Sequence, residues 1–193
     1  MNGGDNYGNQ INIMHKLLDT YLCKKYPKIF ADRNKSPMES CMYWGLDVSN
    51  GWFYLIDTLC NRVQHHIDST NESIDKGYTT FTKEKISQMV ALQVKEKFSG
   101  LRFYYSGGDE YIRGLVDFAE ELSYSICETC GIMNEEVGRN PEGWHVTTCK
   151  KHARDIENFQ TNGDNKLNKI WKKVREDEEK TRKKIEAARS TKV

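Results

Sequence analysis

Cys127, Cys130, Cys149 and His152 fall in a C-x2-C, 18-residue, C-x2-H pattern, and this spacing limits the fold more than any other feature of the chain. Two short pairs separated by a loop close four soft and borderline donors around one tetrahedral Zn²⁺. Four protein ligands leave no position for water, so the expected metal is structural. Gly131 directly follows the second cysteine, where a glycine lets the backbone turn sharply and aim amides at the thiolates. The competing reading, three unrelated buried thiols and a surface histidine, must treat the doubled spacing as coincidence. His145 competes with His152 for the fourth position, and the paired C-x2-H spacing favours His152.

At 193 residues with 37% hydrophobic and 11% aromatic content, the chain is long enough to bury one core with a small metal-held segment. It has no run of about 18 apolar residues, and MNGGDNYGNQ lacks the basic-then-apolar order of a signal peptide. A soluble, intracellular protein with no membrane partner is expected. Cys23, Cys41 and Cys60 are scattered, which suits a reducing compartment better than a disulfide framework. The formal net charge is only +1, but residues 150–193 carry 14 Lys/Arg against 8 Asp/Glu, and residues 1–149 carry 15 against 20. That excludes a wholly basic nucleic-acid coat and leaves a basic tail on a mildly acidic body.

Hydrophobic periodicity predicts an α+β fold: three helices packed on a small antiparallel β-hairpin sheet, then a zinc-ribbon-like segment and a charged C-terminal helix. Residues 1–10 are expected to be disordered, 11–126 to form the core, 127–153 the zinc segment and 154–193 the final helix. Ile13, Met14, Leu17, Leu18, Tyr21 and Leu22 recur at helical spacing before Pro27, which predicts a first helix over 11–26. Residues 31–50 read as a loop whose Trp44 needs a site to occupy. Ser49 or Asn50 is placed to cap a second helix, whose stripe is Trp52, Leu55, Ile56, Leu59, Val63 and Ile67. Residues 68–80 read as a polar linker. Val90, Leu92, Val94 and Phe98 alternate with polar residues, Ser99-Gly100 turns, and Leu101, Phe103 and Tyr105 alternate again, so 89–106 is a hairpin. A lone hairpin is marginal in water, so a third strand or a packed helix must complete it. A third helix follows Gly107-Gly108-Asp109 with Ile112, Leu115, Val116, Ala119, Leu122 and Ile126 on one face, running to Cys127. Residues 144–148 read as a strand delivering Cys149. The last helix, over 165–189, is expected to dock through Leu167, Ile170, Trp171 and Val174. Its apolar period fades beyond Val174, where Glu176/Lys180, Glu178/Arg182 and Glu179/Lys183 offer i,i+4 pairs.

The hairpin also carries the main ligand candidate. A turn at Ser99-Gly100 sets Phe98 against Leu101, Lys97 against Arg102, Glu96 against Phe103 and Lys95 against Tyr104. Val94, Phe98, Leu101, Phe103 and Tyr105 then face the core, and Lys95, Lys97, Arg102 and Tyr104 share the other face. Two cations directly opposite one another repel, which invites an anion between them. Phosphate or carboxylate fits, with Arg102 as a bidentate donor and Tyr104 as a stacking platform. The bland reading of the same residues is a solvated sheet face kept soluble by long cations. Gly107-Gly108 before a helix exposes amides to an anion, but Asp109 is placed to cap that helix itself and repel a phosphate. His65-His66 sit in no ligand spacing and suit a helix C-terminus, where they complement the dipole. The chain shows no nucleophile–base motif, phosphate loop or zinc-deaminase pattern, so a non-catalytic protein is expected.

Trp44-Gly45, the string GWFYLIDTLC over 51–60, VKEKFSGLRFY over 94–104 and the C-x2-C-G…G-W…T-x-C-x2-H segment together resemble a family of small zinc-binding accessory proteins of tailed phages and prophages. The resemblance spans about Ile13 to His152, and the hairpin string is its most specific part. The family pattern has two glycines at the turn, and Ser99 stands here in place of the first. The resemblance implies an accessory protein in the cytoplasm of the infected bacterial host, and it implies no established biochemistry. Two functions follow as expectations. In the first, a counter-defence protein binds or sequesters an anionic, nucleotide-type ligand on Lys95, Lys97, Arg102 and Tyr104, with a host defence protein as a further partner. In the second, a zinc-ribbon regulator binds nucleic acid or protein, with the basic 166–184 helix on phosphates or on a partner. Zinc ribbons serve both kinds of target, so the metal alone does not separate them.

Overall fold

A two-stranded hairpin lies at the centre of the fold, and its neighbours close both of its edges. The computed structural model describes residues 13–78, 84–139, 145–153, 155–162 and 165–190. Its elements are α1 (Lys16–Lys25), α2 (Phe53–Asp75), β1 (Val90–Lys97), β2 (Gly100–Ser106), α3 (Glu110–Ser123), β3 (Val137–Arg139), β4 (Thr148–Cys149), β5 (Gln160–Thr161) and α4 (Asn165–Ser190). Free edges of a sheet invite pairing with other chains, and here both are occupied. Beside β1, Ala91 N donates to Ile29 O at 2.8 Å, Asp47 N to Val94 O and Glu96 N to Asp47 O at 2.9 Å, and Asp47 bridges Lys95 in parallel. Beside β2, Leu101 N donates to Ser123 Oγ and Phe103 N to Glu120 Oε1, both at 2.8 Å. A loop and two α3 side chains thus take the place of the third strand that the hairpin requires.

The α+β expectation holds, with mixed helix and small antiparallel sheets. Trp52, Ile56, Val63, Val94, Leu101 and Ile112 are fully buried where α2 and α3 meet the hairpin. Details differ where polar anchors outweigh periodicity. α1 begins at Lys16, with His15 Nδ1 accepting from Leu17 N at 3.3 Å; Ile11 and Asn12 lie outside the described residues. Leu17 and Tyr21 are exposed because Asp19 turns inward, accepting from Leu46 N at 3.1 Å and from Arg33 at 3.0 Å. Neither Ser49 nor Asn50 caps α2. Ser49 N donates to Glu128 Oε1, Asn50 Oδ1 accepts from His15 N, and a 3-10 turn over Asn50–Trp52 leads into the helix. α2 also runs through the expected linker to Asp75. There Asn71 clamps the returning chain, accepting from Ile86 N at 2.8 Å and donating to Ile86 O at 2.9 Å. α3 stops at Ser123, short of Cys127.

The metal-motif segment folds into a three-stranded antiparallel sheet in the order β4-β3-β5; β5 lies in the stretch expected to open the final helix, so the segment extends past 153 and the helix starts only at Asn165. The strand expected over 144–148 begins only at Thr148, and Trp144 lies outside the described residues, as do residues 1–10. Beyond it, α4 corrects the docking expectation. Ile170, Trp171 and Val174 are 50%, 47% and 36% exposed, and an Arg175–Glu135 ion pair ties the helix to the body. Lys183 pairs with Glu179 as expected, but Lys180 turns to Asp177 and Arg182 to Glu179. Among the described residues no helix is long and apolar enough to cross a membrane.

Candidate metal centre and hairpin face

The four motif residues converge. One donor atom from each of Cys127, Cys130, Cys149 and His152 lies within 4.8 Å of every other. Cys127 Sγ is 3.7 Å and Cys149 Sγ 3.2 Å from His152 Nδ1, and Cys130 Sγ is 3.9 Å from Cys149 Sγ. A zinc tetrahedron with about 2.3 Å Zn–S and 2.0–2.1 Å Zn–N bonds has edges of about 3.6–3.8 Å, so the cluster fits such an ion with small adjustments. His145 is outside the cluster. Gly131 takes φ +77° and donates its N–H to Cys127 O at 2.8 Å, closing the tight knuckle that glycine permits. Burial pushes the Cys127 thiol up, but amides of Cys130, Cys149 and Thr129 aimed at its sulfur outweigh that and hold it below the ordinary thiol range. A sulfur so placed is ready to bind a cation as thiolate.

The centre is seated on the core through Trp52 of the expected α2 stripe and through residues that the periodicity did not single out. A Cβ on Gly51 would lie 2.2 Å from Cys127 O and 2.5 Å from both Glu128 O and Gly131 N. Glycine there lets the approach to α2 press against the knuckle backbone. Gly51 N donates to Glu128 O at 2.7 Å, and the indole of Trp52 donates to Ile126 O at 3.0 Å. Glu128, between the first two cysteines, is fully buried; its Oε1 accepts from Ser49 N at 2.9 Å and its Oε2 has no partner among the described residues. Burial pushes its carboxyl up to about 7. Thr147, just before β4, donates from Oγ1 to Ser99 O at 2.7 Å, tying the metal segment to the hairpin tip. The one sequence signal for this seat was Gly51-Trp52, a glycine beside a large ring.

At the hairpin the expected face survives and the register does not. Lys97 pairs with Gly100, Glu96 with Leu101, Lys95 with Arg102 and Val94 with Phe103, with a bulge between Ala91 and Gln93. The two turn residues are therefore Phe98 and Ser99, at φ +53° and +70°, the positive pair a tight hairpin turn uses. Gly100 is needed one place later, inside β2, where a Cβ would meet Tyr124 Cζ at 2.5 Å. The slip ejects Phe98 from the expected core to 73% exposure, while Ser99 is fully buried and its N–H donates to Glu96 Oε1 at 2.6 Å. Lys97 no longer faces Arg102; Lys95 does.

Arg102 is already engaged. It donates to Leu101 O at 2.6 Å and to the Tyr124 hydroxyl at 2.8 Å, and lies 3.5 Å from Glu120. Lys95 and Lys97 instead rest over aromatic rings, Tyr104 at 5.6 Å and Phe98 at 5.4 Å, and neither meets a carboxylate among the described residues. Beside the same strand is a depression of about 220 Å³ lined by Ile13, Cys41, Trp44, Gly45, Asp47, Gln93 and Val94. Trp44 does not find a buried site; it is 70% exposed, edge-on to Tyr43.

The remaining candidates are structural. Gly108 N donates to Ser87 O and Ser87 Oγ, both at 3.1 Å, and Asp109 caps α3 through Ile112 N at 3.0 Å. His66 Nε2 lies 2.8 Å from Asp109 Oδ2, and its ring packs on Tyr111 at 4.3 Å, joining α2 to α3. His65 is exposed. No family model matches the chain, no curated protein is significantly similar to it, and no solved structure matches it.

Proposed function

We propose that the protein is a non-catalytic, zinc-braced accessory protein of the phage type it resembles, acting against host defence by binding an anionic, nucleotide-type ligand on the outer face of the hairpin. The ligand is held by Lys95 and Lys97, with Tyr104 as an aromatic surface. Arg102, tied to Glu120 and Tyr124, stiffens the face instead of meeting the anion first. One observation carries the reading: two lysines of one strand point the same way beside aromatic rings, with no carboxylate in reach among the described residues. Ammonium groups without a counter-charge attract phosphate, and charge-assisted contacts are among the stronger hydrogen bonds. The metal is assigned as zinc because three thiolates and an imidazole in a closed tetrahedral set suit it best, and its role is to lock the knuckle under the hairpin tip.

The test is calorimetric titration of the metal-loaded protein with nucleoside monophosphates and inorganic phosphate. Lys95→Ala/Lys97→Ala should lose binding while unfolding at the wild-type temperature. Unchanged affinity in this variant would overturn the reading. A second reading, a zinc-ribbon nucleic-acid- or protein-binding regulator, is favoured by one feature, the exposed apolar stripe of the basic helix α4. Removing residues 165–193 should leave nucleotide binding intact under the first reading and abolish partner binding under the second. Polynucleotide binding through several phosphates would also fall steeply with salt.

A further inference from the structure

Resting on that reading, the structure assigns the depression beside β1 as a nucleobase pocket, in which Trp44 stacks on a base and Asp47 accepts a hydrogen bond from its exocyclic amine. Several independent features meet there. The pocket adjoins the lysine face directly: Gln93 and Val94 line it, Lys95 is the next residue of β1, and Asp47 bridges Lys95 across the edge. A ligand with its phosphate on Lys95 and Lys97, whose Cα atoms are spaced roughly 7 Å along the strand, can reach this depression with its other end. The volume of about 220 Å³ is below the range of about 300–1,000 Å³ typical of sites enclosing a whole drug-sized ligand. It suits one flat ring system with the sugar and phosphate left outside.

The chemistry of the lining is that of a base site. Trp44 is a large ring, exposed, and held edge-on by Tyr43. Its backbone is fixed on both sides, since Arg33 donates to Tyr43 O at 2.6 Å and Gly45 N donates to Met42 O at 2.9 Å. Stacking on such a ring tolerates any base. Asp47 is the charged group of the lining. Its backbone N–H and C=O are spent on β1, and its exposed carboxylate meets no cation among the described residues. A carboxylate next to a phosphate site repels an anion, and a hydrogen-bond donor on the ligand at this point would offset that repulsion. Adenine, cytosine and guanine carry an exocyclic amine, and thymine and uracil do not. Gln93, which can donate and accept, is placed to contact a second position of the base edge. The ligand is accordingly a nucleotide with an amino-bearing base, its base in the depression and its phosphate on the lysines.

The experiment titrates the metal-loaded, full-length protein with AMP, CMP, UMP and inorganic phosphate, reading heat and tryptophan fluorescence. AMP and CMP should bind roughly tenfold to a hundredfold more tightly than UMP, the span of one hydrogen bond to a charged group, and should quench Trp44 emission. Asp47→Asn should collapse the preference for amino-bearing bases without abolishing binding. Trp44→Ala should weaken every nucleotide but leave inorganic phosphate unchanged, and Trp44→Phe should restore part of the loss. If AMP, CMP and UMP bind equally and Trp44→Ala is silent while Lys95→Ala/Lys97→Ala still loses binding, the pocket assignment falls and the anion face stands. If no nucleotide binds, both fall.

Discussion

Gly51→Ala is the substitution whose effect the structure fixes most tightly. The added methyl would stand 2.2 Å from Cys127 O, 2.5 Å from Glu128 O and 2.5 Å from Gly131 N, and all three are backbone atoms of the metal knuckle. None can swing aside as a side-chain tip would, so the knuckle and the entry to α2 must separate by about 1 Å to reach ordinary contact. Overpacking in a close-packed interior costs about 1–3 kcal/mol. The separation also strains the hydrogen bond from Gly51 N to Glu128 O, adding about 1 kcal/mol. A total of about 2–4 kcal/mol lowers the unfolding temperature of a chain this long by roughly 5–15 °C. Gly114→Ala is the control: it lies within α3, a Cβ there meets nothing within 4 Å, and replacing a mid-helix glycine stabilises by about 0.5–1 kcal/mol. Thermal unfolding of the metal-loaded variants, followed by circular dichroism, reads both. If Gly51→Ala unfolds within a degree of wild type and keeps its metal, the knuckle is not seated on α2 and the packing argument is wrong.

Three further outcomes follow from the same contacts. Ser99→Gly should stabilise the protein by about 1 kcal/mol, because it relieves a positive φ and removes a buried hydroxyl that has no partner among the described residues; a destabilised variant in denaturant unfolding would contradict the turn described. Arg102→Ala should cost about 1–2 kcal/mol in the same assay, since it strips Tyr124 and Glu120 of their partner; a neutral result would return Arg102 to the ligand and remove it from the scaffold. Burial pushes the Asp109 carboxyl up, but His66 and the amide of Ile112 outweigh it and hold it below the usual range. Its stabilising contribution is therefore present above the unfolded carboxylate range and lost as pH falls through the depressed folded value. Asp109→Ala should remove a helix cap at about 1 kcal/mol and flatten that acid limb of the stability profile, and an unchanged limb would refute the assignment.

The metal cluster was legible because ligand spacing is local: each C-x2 pair brings its own two donors together, and the strand pairing of Val137 with Cys149 then joins the pairs. Asp109 was legible as a cap for the same reason. The hairpin was readable as a hairpin, but its register was not. Alternation of Phe98, Leu101 and Phe103 favours a turn at Ser99-Gly100, while the winning terms are long-range: Thr147 holding Ser99 O and the Tyr124 ring pressed on Gly100. Asp19 and Glu128 were missed because buried carboxylates are set by tertiary partners such as Leu46 N and Ser49 N, which leave no periodic trace. The C-terminal helix shows the opposite error. Its stripe is real in sequence, but a stripe states only which face is apolar, and in the structure Ile170 and Trp171 stay half-exposed.

The brace beneath the hairpin is tested most directly by the metal itself. Elemental analysis of protein purified without chelators, with X-ray absorption at the zinc edge, should give one zinc per chain bound by three sulfurs and one imidazole nitrogen, and Cys130→Ser should lose the ion and loosen the segment it closes. Protein that carries no zinc, takes none up, and unfolds at the same temperature with and without added Zn²⁺ would contradict the account.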